Sequence, residues 1–150
     1  MKRGMGYLVL TVIAGAACVA SFKAGLDAQE NLEGARFQSS AGGLGLEVLF
    51  DGERRDVPVD VAVITFPPGT NSGDHQHPQT EIFYVLEGAL EHVVNGESTI
   101  LTPGMVGHVK PPDFVNHITE PGGESTRAVV LWAPAGGASR IASRWERLPN

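Results

Sequence analysis

The sequence predicts an all-β domain, an antiparallel sandwich or barrel of short strands. Strand-like apolar runs recur at roughly even spacing between turn signals. No long helical period interrupts them. The chain carries 19 Gly and 10 Pro in 150 residues, which favours many short strands joined by turns over long helices. That length suits one domain, and 42% hydrophobic residues allow a real core.

Taken in order, the elements begin with a segment set apart from the domain. Met1-Lys2-Arg3 is basic, and Tyr7 to Ala20 is an uncharged apolar run rich in small residues. This order fits an export signal over 1–28, with cleavage after Ala20 or after Ala28, and so a periplasmic or extracellular protein. An uncleaved anchor and a lipid on Cys18 are the alternatives. Residues 29–43 are polar and glycine-rich and read as an N-terminal arm, and 44–150 as the domain. Gly45 to Phe50 forms the first run, closed by Asp51-Gly52. Val59 to Phe66 forms the second, closed by Pro67-Pro68-Gly69. Glu81 to Leu86 and Ala89 to Val94 meet at the Glu87-Gly88 turn. Asn95-Gly96 is a two-residue hairpin signal before Ser98 to Leu101. Further strands are expected at Val106–Lys110, Val115–Thr119 and Arg127–Trp132. In the tail, Ala138 to Leu148, an apolar face formed by Ile141, Trp145 and Leu148 predicts a short helix.

Charge and cysteine usage exclude several functions. Eleven basic and 17 acidic residues give a net charge of −6, and no Lys/Arg cluster follows Arg54-Arg55. Nucleic-acid binding and adhesion to anionic lipid are not expected, nor stable membrane association once the signal is removed. Cys18 is the only cysteine. Its removal leaves no disulfide and no thiolate, so histidine and glutamate must carry any metal chemistry.

The chemistry concentrates in Gly69 to Gly88, which reads G-x5-H-x-H-x3-E-x6-G. On an extended segment, side chains at i and i+2 share a face, so His75 and His77 point the same way. Glu81 re-enters after Pro78 breaks the ladder. Two imidazoles and a carboxylate suit one divalent transition metal, Fe, Mn, Ni, Cu or Zn. Phe83 and Val85 share the parity of Glu81 and predict an apolar wall, whereas Asp74 and Asn116 face away.

This pattern resembles the first conserved motif of the cupin superfamily, in its small single-domain, quercetin-dioxygenase-like form. The resemblance implies a jelly-roll β-barrel and a fourth metal ligand from a second motif. Pro111 to His117 resembles that motif in degenerate form. Neither Pro112 nor Phe114 is the expected glycine, Met105 replaces an acidic residue, and Pro121 replaces an asparagine. His117 is therefore expected as the fourth ligand, with His108 as the competitor, otherwise a solvent-facing strand residue. His92 reads as a plain strand histidine. The resemblance also implies a dioxygenase-type reaction on a small chelating enol or aromatic substrate, with Glu81 as metal ligand and general base. A metal-dependent isomerase or lyase and a non-catalytic binding module are the alternatives. Homodimerisation follows from the resemblance, with Trp132 and Trp145 open as core or interface residues.

Overall fold

Alternation along each strand decides which side chains meet inside. The computed structural model describes residues 30–40 and 43–149. The expected signal over 1–28 lies outside the described residues. Among those described, no helix is long and apolar enough to cross a membrane. Among the described residues, eleven strands and two short helices follow one another: β1 (Arg36–Gln38), β2 (Gly45–Phe50), α1 (Gly52–Arg55), β3 (Asp60–Phe66), β4 (His75–Gln76), β5 (Thr80–Glu87), β6 (Leu90–Val94), β7 (Glu97–Leu101), β8 (Val106–Val109), β9 (Phe114–Ile118), β10 (Thr126–Ala133), α2 (Gly137–Ala142) and β11 (Glu146–Arg147).

All pairings between strands are antiparallel. One sheet has seven strands in the order β11-β1-β2-β3-β10-β5-β8, and the other has four, β4-β9-β6-β7. The arrangement is a two-sheet sandwich, not the single closed barrel that the resemblance implied. Inward residues from both sheets form one core. Leu46, Val48, Phe66, Phe83, Val85, Val130 and Trp132 come from the larger sheet, and Leu90 and Leu101 from the smaller. Outward positions on β5 stay exposed at Ile82, Tyr84 and Leu86. That is the two-sided pattern of an antiparallel sheet. The Asn95-Gly96 turn between β6 and β7 has φ of 52° and 84°, as a two-residue hairpin requires.

Three segments differ from the sequence reading. The residues expected as an arm supply β1, and Leu32, Ala35 and Phe37 enter the core. Asp51-Gly52 opens a helical turn where the sequence suggested only a strand end. Asp51 caps that turn, its Oδ1 accepting from Arg54 N at 3.1 Å. The tail is helical only over Gly137–Ala142. Its end turns back as β11, which pairs with β1. Ile141 and Trp145 still pack on the core, as their spacing suggested. Trp132 is a core residue with no exposed surface.

Asp60 ties these additions together. Its carboxylate is 1% exposed. Oδ1 accepts from Gly52 N at 2.9 Å, and Oδ2 from Gly136 N at 2.8 Å and Ala138 N at 3.0 Å. One side chain thus satisfies the starts of both helices, which have no intrahelical partner for these N–H groups. Removing it strands three donors, each costing about 1–3 kcal/mol when buried. Asp60→Ala should lower unfolding free energy by about 3 kcal/mol or more in a denaturant titration. A loss below about 1 kcal/mol would show that water replaces the carboxylate without penalty.

Candidate functional site

Each expected site residue is placed by strand parity. His75 lies in the short strand β4, where it pairs with Val115 of β9. His77 follows beyond the strand end, and Glu81 opens the inward row of β5 with Phe83 and Val85. His117 lies on the inward face of β9, 4% exposed. His75 and His77 turn their rings toward each other, as i, i+2 spacing predicted, with Nε2 atoms 3.0 Å apart. His77 Nε2 also lies 3.0 Å from Glu81 Oε2. Three of the four residues are therefore in contact in sequence order. His117 joins them through its ring, 5.5 Å from that of His75 between centroids.

Proton positions follow from the partners. His75 Nδ1 sits 2.8 Å from the Gly73 carbonyl, which can only accept. Nδ1 therefore carries the proton, and Nε2 presents a lone pair toward His77. Glu81 is 2% exposed, and its Oε1 accepts from the Trp132 indole N–H at 2.6 Å. Its Oε2 has the short approach from His77 but no directed hydrogen bond. His117 Nε2 is buried without a hydrogen-bond partner among the described residues. Burial pushes the His117 pKa well below its ordinary 6.5, and the neighbouring His92, His75 and His77 push it the same way. The imidazole is held neutral. As the side chains stand, no group of three or more His, Cys, Asp or Glu among the described residues is arranged to hold a metal ion. The donors form a contact chain instead.

Two other expectations are met. His108 is an exposed residue of β8, and Asn116 turns away from the rings to accept from Ser72 Oγ at 3.1 Å. His92 corrects the reading. It is not a plain strand histidine but a buried one, 4% exposed, paired across the ladder with His117. Their rings stack at 5.3 Å with planes 22° apart. The signal was the inward parity of His92 with Leu90 on β6. It is invisible as a ligand pattern because it depends on cross-strand register. Arg140 was also missed. It reaches from α2 to hydrogen-bond the Gln79 side chain. Burial lowers its pKa, while the Glu81 carboxylate acts in the opposite sense.

The neutral His117 sets a pH response. Its pKa in the folded state lies below the ordinary 6.5 of an unfolded chain. Below that pH the unfolded chain binds the proton more readily, so stability is full above it and declines as pH falls toward the folded value. His92 is shifted in the same direction, mainly by burial. Metal-free protein should lose stability as pH falls below about 6.5, and His117→Phe should flatten that slope in thermal unfolding. An unchanged slope in the variant would place the response elsewhere.

Comparison with known proteins follows the same lines. Residues 62–134 match the family model described as Cupin domain. Among curated proteins the sequence finds no match. KdgF from a Halomonas species superposes with a TM-score of 0.58 at 20% identity, covering 69% of this chain and 89% of that one. An RmlC-like cupin from Shewanella frigidimarina gives 0.57 at 22% identity, covering 67% and 85%. A predicted oxalate decarboxylase from Thermotoga maritima gives 0.56 at 20% identity, covering 69% and 94%. Likeness at this level of identity establishes the fold and leaves the activity open. The matched segment, residues 62–134, spans the inward histidines and Glu81, and this chain carries a cupin domain there.

Proposed function

We propose that the chain is an exported, periplasmic or extracellular cupin that holds one divalent transition metal through His75, His77, Glu81 and His117. It uses the ion in a dioxygenase-type reaction on a small chelating enol or aromatic molecule. The observation that carries the reading is the contact chain His75–His77–Glu81, with 3.0 Å at each step, beside the buried His117 Nε2, which has no hydrogen-bond partner among the described residues. Two ligands at right angles around an ion, each about 2.1 Å from it, stand about 3 Å apart. The donor set also fits. Neutral imidazoles and a carboxylate are what Fe, Mn, Ni, Cu or Zn accept. The Gly73 carbonyl orients His75 as a backbone acceptor commonly orients a ligating histidine. The side chains as they stand do not surround an ion. The donor chemistry supports the ion all the same, because two imidazole nitrogens 3.0 Å apart need a cation or a proton between them.

An ion bound there supplies Lewis acidity and, when redox-active, a route to oxygen chemistry. This chain's own residues do the rest. Trp132 fixes Glu81 Oε1, which leaves Oε2, beside His77, as the atom to take a proton from a ligand hydroxyl. Phe66 and Phe83 pack against His117 and exclude water from its buried edge. Arg140 brings positive charge toward the Glu81 side of the site.

A metal-dependent isomerase or lyase is the second reading. One observation favours it: His92 places a further polar group inside the sandwich, which such chemistry needs beyond the ligands. A predicted decarboxylase among the similar folds is in keeping with it.

Metal content decides the ligand set. His77→Ala and His117→Ala should each reduce bound metal at least tenfold by elemental analysis of the purified protein. His108→Ala should leave it unchanged. Loss in His108→Ala instead of His117→Ala would exchange the fourth ligand. Equal metal content in all three variants would remove the site. Glu81→Gln should keep part of the metal and abolish turnover in a screen of enols and catechols under oxygen. Turnover equal to that of the unsubstituted protein would rule out Glu81 as the base.

A further inference from the structure

We propose that His92 is the side chain that reads the ligand at this site, accepting a hydrogen bond through Nδ1 from a donor group next to the ligand's coordinating atoms. The inference rests on the metal reading above and adds a residue outside the cupin ligand set.

His92 Nε2 lies 3.1 Å from the His108 carbonyl oxygen. A carbonyl only accepts, so Nε2 holds the proton and Nδ1 holds a lone pair. Nδ1 is buried and has no hydrogen-bond partner among the described residues. Leaving an acceptor buried and empty costs about 1–3 kcal/mol. The ring is held by packing on both sides. His117 stacks on it, and Phe83 meets it edge-on at 5.8 Å between centroids. Gly107 of β8 leaves the space. A Cβ there would collide with Leu101 and stand 3.2 Å from His92 Cδ2. The position is therefore built around an imidazole whose second nitrogen meets no partner among the described residues. Glu81 and His77 both act electrostatically on His92, which puts it within range of the donor cluster.

The ligand class follows from the lone pair. Nδ1 selects a chelator that carries an O–H or N–H beside its coordinating oxygens and discriminates against one that carries a methyl there. Such a site rejects the analogue lacking the donor because its own acceptor is then left unpaired.

The test uses full-length protein loaded with Zn(II) and two probes, acetohydroxamate and its N-methyl analogue. Titration calorimetry should show the N–H probe favoured about tenfold, the worth of one hydrogen bond of roughly 1.4 kcal/mol. His92→Phe should keep the metal and the ring packing but abolish the preference. His92→Gln, with an amide that can donate to His108 O and an oxygen that can accept, should restore part of it. Nitrogen-15 NMR of the unsubstituted protein gives an answer even where a variant does not fold. The Nδ1 signal should be of the unprotonated type and should shift with acetohydroxamate but not with the methyl analogue. A protonated Nδ1, or a preference that survives His92→Phe, overturns the inference and leaves the metal reading standing. Loss of zinc from His92→Phe makes His92 a metal ligand and also overturns it. Failure of the unsubstituted protein to take up zinc defeats both readings.

Discussion

The hydrogen bond from Trp132 to Glu81 is the interaction on which the organisation of this protein turns. It joins the centre of the core to the head of the donor cluster. Trp132 has no exposed surface, and Glu81 has 2%. A carboxylate in such surroundings needs a partner, or its burial opposes folding. The indole supplies one at 2.6 Å and leaves the second oxygen facing His77. The indole itself is held from behind. Gly137 lies so close to the ring that any Cβ would collide with it, and Asp60 anchors the flanking residues 136 and 138. From Asp60 to Glu81, the support of the site is a single relay of buried contacts. The short helix α2 belongs to that relay and is no appendage.

The four-stranded sheet contributes in a different way. It carries His75, His117 and His92, two of them deeply buried, with rings from the facing sheet between and beside them. The two buried imidazoles, His117 and His92, stay neutral because burial disfavours their charged form. Neutral nitrogen donors are what a divalent cation requires. The same packing that builds the core therefore also sets the protonation state of these two rings. A variant that loosens Phe66 or Phe83 would act on the core and on that state together.

Much of this was legible in the residues. Every long strand was found, because alternation such as Leu46–Val48 or Glu81–Phe83–Val85 is a local signal. The histidine pair was found for the same reason, since i, i+2 spacing settles a shared face without any tertiary knowledge. What escaped notice depends on register or on distant partners. His92 becomes a site residue only because it pairs with His117, 25 positions later in the sequence and on another strand. Strands β1 and β11 are three and two residues long and exist by pairing with one another and with β2. No window of sequence that short carries a strand signal. Asp60 looked like one polar residue before a strand, and its three partners come from residues 52, 136 and 138.

The hydrogen bond from His92 to the His108 carbonyl reaches from the smaller sheet to β8, the edge strand of the larger one. Backbone ladders do not connect these two sheets. An edge strand is paired on one side only and is the part of a sheet freest to open. The bond therefore acts as a clasp on the lip of the sandwich, fastened by the same ring whose other nitrogen faces inward. On the proposal made for Nδ1, a ligand that engages it would act on the ring that holds the clasp. The interior and the outer rim thus share one side chain, and a change at the first would be felt at the second.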